Sequence, residues 1–283
     1  MKFLKSCALL LSLVSCLWLP SVSAASKGKV KLVYVEWSSE VVSTNVIRVV
    51  LEDLGYEVKI TPVSAAAMWQ SVGTGDADGL VAAWLDTTHA HYLAAVKNKI
   101  EDLGPNLQGT RIGLVVPDYM KINSIEELNA NVEKFNGKII GIDPGAGLMT
   151  KTEQVIKDYD LKGFKLVEGS GETMTAELSN AIKEKRWVVV TGWTPHWMFS
   201  RWKLKYLTDS KNVYGSGGYI STIVRKELKT ELPEVYRVLD QFSWTPADMQ
   251  TIMVWNEDKG ADPYLNAKRW VQQNPDKVKA WTK

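Results

Sequence analysis

Short apolar runs rich in β-branched residues alternate along this chain with longer stretches in which apolar residues recur at helical spacing. The short runs predict strands at 30–37, 56–63, 79–85, 111–117, 138–143, 164–168 and 187–193. The longer stretches predict helices at 41–54, 65–72, 89–98, 148–159 and 173–185, and beyond residue 232 the chain is predicted to be helical in three pieces. This alternation is typical of an α/β fold with mainly parallel sheets.

Local signals mark the starts of two helices. Ser124 and Glu127 have the spacing of a capping box, in which each side chain bonds the backbone N–H at the other position. Thr245 followed by Pro246 predicts a helix that begins with a capping side chain and a proline at its first position. We therefore expect helices to begin near residues 125 and 246.

The α/β pattern runs through the chain twice, and no linker rich in Pro, Ser or Gly separates the two series. Two lobes joined by strands are therefore predicted, with a ligand cleft between them. We expect residues 25–115 to form the first part of lobe 1 and residues 116–219 to form lobe 2. Residues 220–283 are expected to return to lobe 1 and end in C-terminal helices.

The N-terminus resembles a secretory signal. Lys2 and Lys5 precede an apolar run at 7–19 that is too short to span a bilayer, and small residues at 22–24 suit signal peptidase. We interpret residues 1–24 as a cleaved signal peptide and expect a periplasmic protein. The alternative is a lipoprotein anchored through Cys16, because residues 13–16 resemble a lipobox. Both readings place the protein outside the cytoplasmic membrane.

The charge balance of the chain argues against a nucleic acid partner, and its tryptophan content is unusual. Lys and Arg total 34 against 32 for Asp and Glu, so the chain lacks the basic excess that a nucleic acid requires. The 12 Trp outnumber the 10 Tyr and the 5 Phe, although Trp is difficult to bury completely. This excess of tryptophan needs an explanation.

Common enzyme motifs are absent from the sequence. It contains no phosphate-binding P-loop, no G-x-S-x-G elbow and no H-E-x-x-H zinc motif, and its two cysteines, Cys7 and Cys16, fall within the predicted signal. We expect no cofactor, no metal site and no catalytic residue. The enzyme alternatives are activity on a methylated amine or a sugar hydrolase with Trp platforms. The hydrolase needs a pair of carboxylates in the cleft, and no such pair can be assigned.

Three tryptophans stand out because they lie on separate segments beside predicted strands or helices: Trp37, Trp69 and Trp193. Converging indole faces bind a cation that cannot donate hydrogen bonds, such as a quaternary ammonium. The turn 143–148, between a strand and a helix, offers free backbone amides for a carboxylate. Together these features predict a site for a zwitterion.

For most of the remaining tryptophans the default expectation is packing. Trp197, Trp202, Trp244, Trp255, Trp270 and Trp281 lie in apolar helical stretches. Trp84 and Trp187 lie within or at the edge of strands, where core or surface positions are expected.

Nearly the whole chain from Lys29 resembles the substrate-binding proteins of ABC importers for glycine betaine and proline betaine. The resemblance is carried by segments 34–37, 50–56, 84–89, 113–117 and 141–147, and above all by Thr191-Gly192-Trp193-Thr194-Pro195-His196-Trp197-Met198-Phe199. It implies the two-lobed periplasmic binding-protein fold (type II-like), which closes on its ligand. It also implies that the closed form docks on a membrane permease whose separate subunits hydrolyse ATP.

The resemblance also assigns residues to the site. It places the aromatic cage on Trp37, Trp69 and Trp193, the carboxylate-binding amides on Gly147 and Leu148, and a polar contact on His89. The family's usual Trp-Leu-Pro reads Trp84-Leu85-Asp86 in this chain.

Several ligands and partners stay open at this point. Choline lacks a carboxylate and needs an acidic residue for its hydroxyl, for which Glu36 and Asp86 are the candidates. Carnitine and dimethylsulfoniopropionate also carry soft methylated cations. A sensor that reads the closed form could replace the permease as partner. We expect the protein to be a monomer.

Overall fold

The computed structural model of the protein describes residues 26–85 and 87–283. The predicted signal peptide, residues 1–24, lies outside the described residues, and so does Asp86. The fold is α/β with two lobes, as predicted.

Within the described residues, the sheet of lobe 1 holds four strands and the first part of a fifth. These are β1 (Lys29–Tyr34), β2 (Glu57–Pro62), β3 (Gly79–Leu85), the first part of β4 (Ile100–Pro117) and β9 (Gly218–Arg225). Their order is β2-β1-β3-β9-β4, so the last strand in sequence lies inside the sheet. β1 runs parallel to β2 and β3, whereas β9 runs antiparallel to both of its neighbours.

The sheet of lobe 2 continues from the second part of β4. Its other strands are β5 (Lys138–Ile140), β6 (Lys165–Val167), β7 (Val190–Thr194) and β8 (Leu204–Tyr206). β5 runs parallel to β6 and β7, while β4 runs antiparallel to β7 and β8. The prediction of mainly parallel sheets is therefore wrong, because β4 and β9 make each sheet mixed.

One strand, β4, belongs to both lobes. Residues 100–110 pair with β9, and residues 111–117 pair with β7 and β8. Only 111–117 was predicted to be a strand. Gly104, Pro105 and Gly109 interrupt the apolar pattern before it, and the register shifts in the same region. The chain thus changes sheet between Thr110 and Arg111, ahead of the predicted lobe boundary at 115/116.

Eleven α-helices lie in the described part of the chain. They are α1 (Ser38–Asp53), α2 (Ala65–Thr74), α3 (Ala90–Val96), α4 (Gly147–Asp158), α5 (Gly171–Lys183), α6 (Met198–Arg201), α7 (Leu228–Glu231), α8 (Pro233–Gln241), α9 (Pro246–Asn256), α10 (Pro263–Gln273) and α11 (Pro275–Thr282). A 3₁₀ helix spans Ile125–Phe135. None of these described helices has the length and apolarity needed to cross a membrane.

Both predicted helix starts are confirmed. Ser124 and Glu127 form a capping box, although it opens a 3₁₀ helix. Thr245 caps α9 with Pro246 at the first position. Beyond residue 232 there are four helices instead of the predicted three, because a proline opens each of α8, α9, α10 and α11 and divides the tail more finely than its apolar pattern suggests.

The C-terminal helices account for part of the tryptophan excess. Trp270 and Trp281 stack at 6.0 Å between ring centroids, and Trp281 meets Phe242 edge-on at 5.0 Å. Trp244 packs edge-on against Trp270 at 5.8 Å. All four side chains are buried, so the packing role expected for these tryptophans is confirmed.

Candidate functional site

An apolar cavity lies between the two lobes. We call it the interlobe cavity. It is lined by Trp37, Ser39, Trp84, Thr88, Ile112, Ile142, Ala146, Gly147, Leu148 and Trp193. Lobe 1 contributes the first four of these residues and lobe 2 the other six, so the cavity is complete only when the lobes are together.

Three indole side chains form much of the cavity wall. Trp37 lies in the turn between β1 and α1, Trp84 is the penultimate residue of β3, and Trp193 is the penultimate residue of β7. Each is therefore at or just beyond the C-terminal end of a strand, which is where α/β sheets bind ligands. The side chains of all three tryptophans are buried. This arrangement offers three aromatic surfaces to one small volume.

Neighbouring groups hold two of these rings. The Nε1–H of Trp37 donates a 2.8 Å hydrogen bond to Oδ2 of Asp143, which belongs to lobe 2. The ring of Trp193 meets His196 edge-on, with centroids 4.5 Å apart. Burial lowers the pKa of His196 to about 3, so its ring is neutral at physiological pH.

The turn before α4 forms the opposite part of the wall. The N–H of Ala146 donates to the carbonyl oxygen of Asp143 at 3.1 Å, and α4 begins at the next residue. The amides of Gly147 and Leu148 are in the first turn of this helix, where no intrahelical acceptor exists. They therefore present N–H donors, reinforced by the helix dipole, beside the three indoles.

Gly147 also lies where the backbones of the two lobes approach each other closely. A Cβ atom on this residue would lie 2.2 Å from the carbonyl oxygen of Thr88, across the cavity in lobe 1. No side chain fits in that distance. The glycine is needed for the close approach of two backbones.

The structure brings together four of the six predicted site residues: Trp37, Trp193, Gly147 and Leu148. It leaves Trp69 and His89 out of the cavity wall and puts Trp84 there instead. Sequence reasoning expected a core or surface position for Trp84 because it lies within a strand. The missed signal is its position at the strand's C-terminal end, which is the criterion that selected Trp37 and Trp193.

Trp69 and His89 form a layer behind the cavity. The Nε1–H of Trp69 donates to Nδ1 of His89 at 3.4 Å, and the backbone N–H of Trp84 donates to the same nitrogen at 3.2 Å. The His89 ring lies 6.1 Å from that of Trp37. Burial lowers the pKa of His89 to about 3, with a smaller contribution from His91. His89 is therefore a neutral acceptor that orients the aromatic layer.

A fully buried carboxyl group lies at the start of α1, near Trp37. Oε2 of Glu40 accepts a 2.7 Å hydrogen bond from the N–H of Val35. Burial raises the pKa of Glu40 to about 8, against the smaller opposing effect of that hydrogen bond. The side chain is thus protonated at neutral pH in the folded protein.

This raised pKa predicts a measurable pH dependence of stability. The unfolded chain releases the Glu40 proton near pH 4.5 and the folded chain near pH 8, so Glu40 alone lowers the stability of the wild type by about 1.4 kcal/mol per pH unit between these values. Glu40→Gln keeps the acceptor and removes the titration, so urea unfolding should show it gaining stability over wild type as pH rises from 5 to 8. The histidines titrate equally in both proteins, so their contribution cancels in the stability difference between the variant and the wild type. A difference that stays constant with pH would contradict the buried, protonated carboxyl.

Comparisons with known proteins agree on the kind of protein that this geometry resembles. Residues 28–273 match the family model described as the substrate binding domain of ABC-type glycine betaine transport systems. A glycine betaine/carnitine transport binding protein of Listeria monocytogenes is 51% identical over 152 residues, which cover 53% of this chain and 50% of that protein. The matched segment thus spans about half of that relative's length.

Two solved structures share the fold over most of their length. Lactococcal OpuAC in a closed, liganded conformation with glycine betaine has 45% sequence identity, covers 90% of this chain and 100% of its own, and has a TM-score of 0.86. An ABC-transporter choline-binding protein in complex with choline has 28% identity, covers 89% of this chain and 91% of its own, and has a TM-score of 0.84.

Proposed function

This chain belongs to the family of substrate-binding domains of ABC-type glycine betaine transport systems, and we propose that it captures glycine betaine or a related quaternary ammonium zwitterion in the interlobe cavity. The observation that carries the proposal is the pairing, around one cavity, of three indoles with the open amides of a helix start. Each half of this wall matches one end of a betaine.

The indole half suits the cationic end. A quaternary ammonium has no N–H and spreads its charge over methyl groups, so aromatic faces attract it better than a point carboxylate does. At about 2 kcal/mol for each desolvated contact, Trp37, Trp84 and Trp193 together contribute on the order of 6 kcal/mol. A micromolar complex needs a binding free energy of roughly 8 kcal/mol, so contacts to the carboxylate end must supply the remainder.

The amide half suits the anionic end. Backbone N–H groups at a helix N-terminus bind carboxylates without any basic side chain. The cage has members in both lobes, since Trp37 and Trp84 lie in lobe 1 and Trp193 lies in lobe 2, whereas the amides of Gly147 and Leu148 come from lobe 2 alone. A betaine thus makes all of its contacts only when the lobes meet, and it shifts the population from open to closed.

Choline is the second candidate because one similar structure is a choline-binding protein. Among the cavity-lining residues of the described chain none is acidic, and Glu36, one of the two acidic candidates, is exposed outside the cavity. Carnitine also has both charged ends and remains an alternative, although it is a longer molecule than glycine betaine. The wall composition favours a zwitterion over choline.

The experiment is calorimetric titration of the purified protein with glycine betaine, choline and carnitine. We expect glycine betaine to bind with a Kd in the micromolar range or below, and choline at least thirtyfold more weakly because the amides find no carboxylate. Tighter binding of choline would show that the turn at Gly147 does not bind an anion. Absence of binding for all three would contradict the proposed function.

We also propose the cellular setting that the sequence predicts. ABC substrate-binding proteins act outside the cytoplasm and hand their ligand to a membrane permease. The charged N-terminus and short apolar run support a soluble periplasmic form released after residue 24, with lipidation at Cys16 as the alternative. In either form the closed protein, as a monomer, is the species that meets the permease.

A further inference from the structure

Two hydrogen bonds connect the lobes beside the cavity, and each involves a residue that does not line it, Asp143 in one and Tyr92 in the other. Oδ2 of Asp143 accepts from Nε1–H of Trp37 at 2.8 Å, and the hydroxyl of Tyr92 donates to the carbonyl oxygen of Gly145 at 2.7 Å. We infer that Asp143 and Tyr92 are positioning residues that assemble the two halves of the site as the lobes close. This inference rests on the proposed function.

Asp143 acts on the cationic half of the site. Its carboxylate fixes the edge of the Trp37 ring through a charge-assisted hydrogen bond, which is shorter and stronger than a neutral one. With its N–H edge held, the ring keeps its orientation in the cavity wall. The negative charge at the indole N–H also polarises the ring and strengthens its attraction for a cation at its face. Asp143 thereby makes Trp37 a better cage member without touching the ligand.

Tyr92 acts on the anionic half. Its hydroxyl holds the carbonyl of Gly145, a residue with a φ of +89° in the turn that leads to the open amides of α4. The ring of Tyr92 packs edge-on against His89 at 5.9 Å. His89 in turn accepts from Trp69. The layer behind the cavity in lobe 1 is thus connected, through Tyr92, to the amide turn of lobe 2.

Both bonds form only when the lobes are together, because each joins a residue of lobe 1 to one of lobe 2. Their free energy therefore favours the closed state and does not depend on direct contact with the ligand. Losing either bond should let the closed complex open faster, while the encounter of ligand with the open protein is unchanged. The effect should appear in koff and leave kon unaltered.

The test measures glycine betaine kinetics by stopped-flow fluorescence in four variants. We expect Asp143→Ala to raise koff about tenfold and Asp143→Asn, which keeps an acceptor, to raise it less. Tyr92→Phe should raise koff severalfold. The matched control is Tyr119→Phe, which removes a hydroxyl that donates to the carbonyl of Arg186 within lobe 2, and we expect it to match wild type.

A double-mutant cycle assigns the effect to the bond itself. Trp37→Phe keeps an aromatic face and removes the donor, so adding Asp143→Ala to Trp37→Phe should cause little further increase in koff. Equal effects of Asp143→Ala in both backgrounds would contradict the pairing. They would show instead that the carboxylate acts on the ligand by charge alone.

A second readout separates this inference from the proposed function. Residues 26–283 contain no cysteine, so spin labels at Lys59→Cys in lobe 1 and Lys157→Cys in lobe 2 report the interlobe distance without ligand. Asp143→Ala should reduce the closed fraction. If wild type binds none of the candidate ligands but the closed fraction still falls, the proposed function is wrong and the positioning role stands. If betaine binds while Asp143→Ala matches wild type in both readouts, the positioning role is wrong.

Discussion

Replacing Trp84 with leucine should weaken glycine betaine binding at least thirtyfold, whereas the same substitution at Trp69 should change the Kd less than about threefold. Leucine keeps an apolar side chain at either position but removes the aromatic face. At Trp84 that face belongs to the cavity wall, and a desolvated cation–π contact is worth about 2 kcal/mol, or thirtyfold in affinity. Calorimetric titration of both variants measures the difference.

Thermal unfolding provides the control for this pair. Both tryptophans are almost fully buried, so each leucine leaves a cavity and lowers the Tm. A loss of stability shared by both variants cannot explain a loss of binding confined to one. If Trp69→Leu lost binding and Trp84→Leu kept it, the cage would be the one that the family resemblance predicts, with Trp69 as its third member.

Gly147→Ala should abolish tight binding and leave the ligand-free protein as stable as wild type. The added methyl group would lie 2.2 Å from the carbonyl oxygen of Thr88, which no real contact allows. Because Gly147 and Thr88 belong to different lobes, the clash arises only on closure. We expect the Kd to rise by about a hundredfold or more, since the complex must form in a partly open state.

The measurement is the rise in Tm that saturating glycine betaine causes. Wild type should show a clear rise and Gly147→Ala almost none, with equal Tm values in the absence of ligand. Gly171→Ala is the matched control, because Gly171 also begins a helix but has no atom within 4 Å of an added Cβ. A Gly147→Ala protein that binds as tightly as wild type would mean that the closed arrangement differs from this structure.

The sequence predicted the family, the two-lobed α/β architecture and four of the residues that line the cavity, and comparison with known proteins confirms the family and the fold. Strand and helix types were predictable where the apolar pattern was clear, as in the continuous apolar run of β3, whose bounds 79–85 match the structure. Trp37 and Trp193 could be selected because each follows or ends a strand, and strand ends are recognisable from sequence alone.

What could not be predicted depends on contacts between distant segments. The first part of β4 is held by pairing with β9, over a hundred residues away, and its glycines and proline give no strand pattern. Trp84 could have been selected because it lies near the end of a strand, whereas only a tertiary contact, the hydrogen bond from Trp69 to His89, shows that Trp69 lies behind the cavity wall. The hydrogen bonds of Asp143 and Tyr92 span 106 and 53 positions, so no local motif reveals them.

The placement of β9 inside the lobe 1 sheet has a consequence for the order in which the chain acquires structure. β9 lies between β3 and β4, yet residues 218–225 follow all of lobe 2 in sequence. Lobe 2, from Arg111 to about residue 217, is a contiguous segment that can form from shorter-range contacts. Lobe 1 cannot complete its sheet until β9 is present, so we expect the sheet of lobe 1 to be completed after lobe 2 has formed.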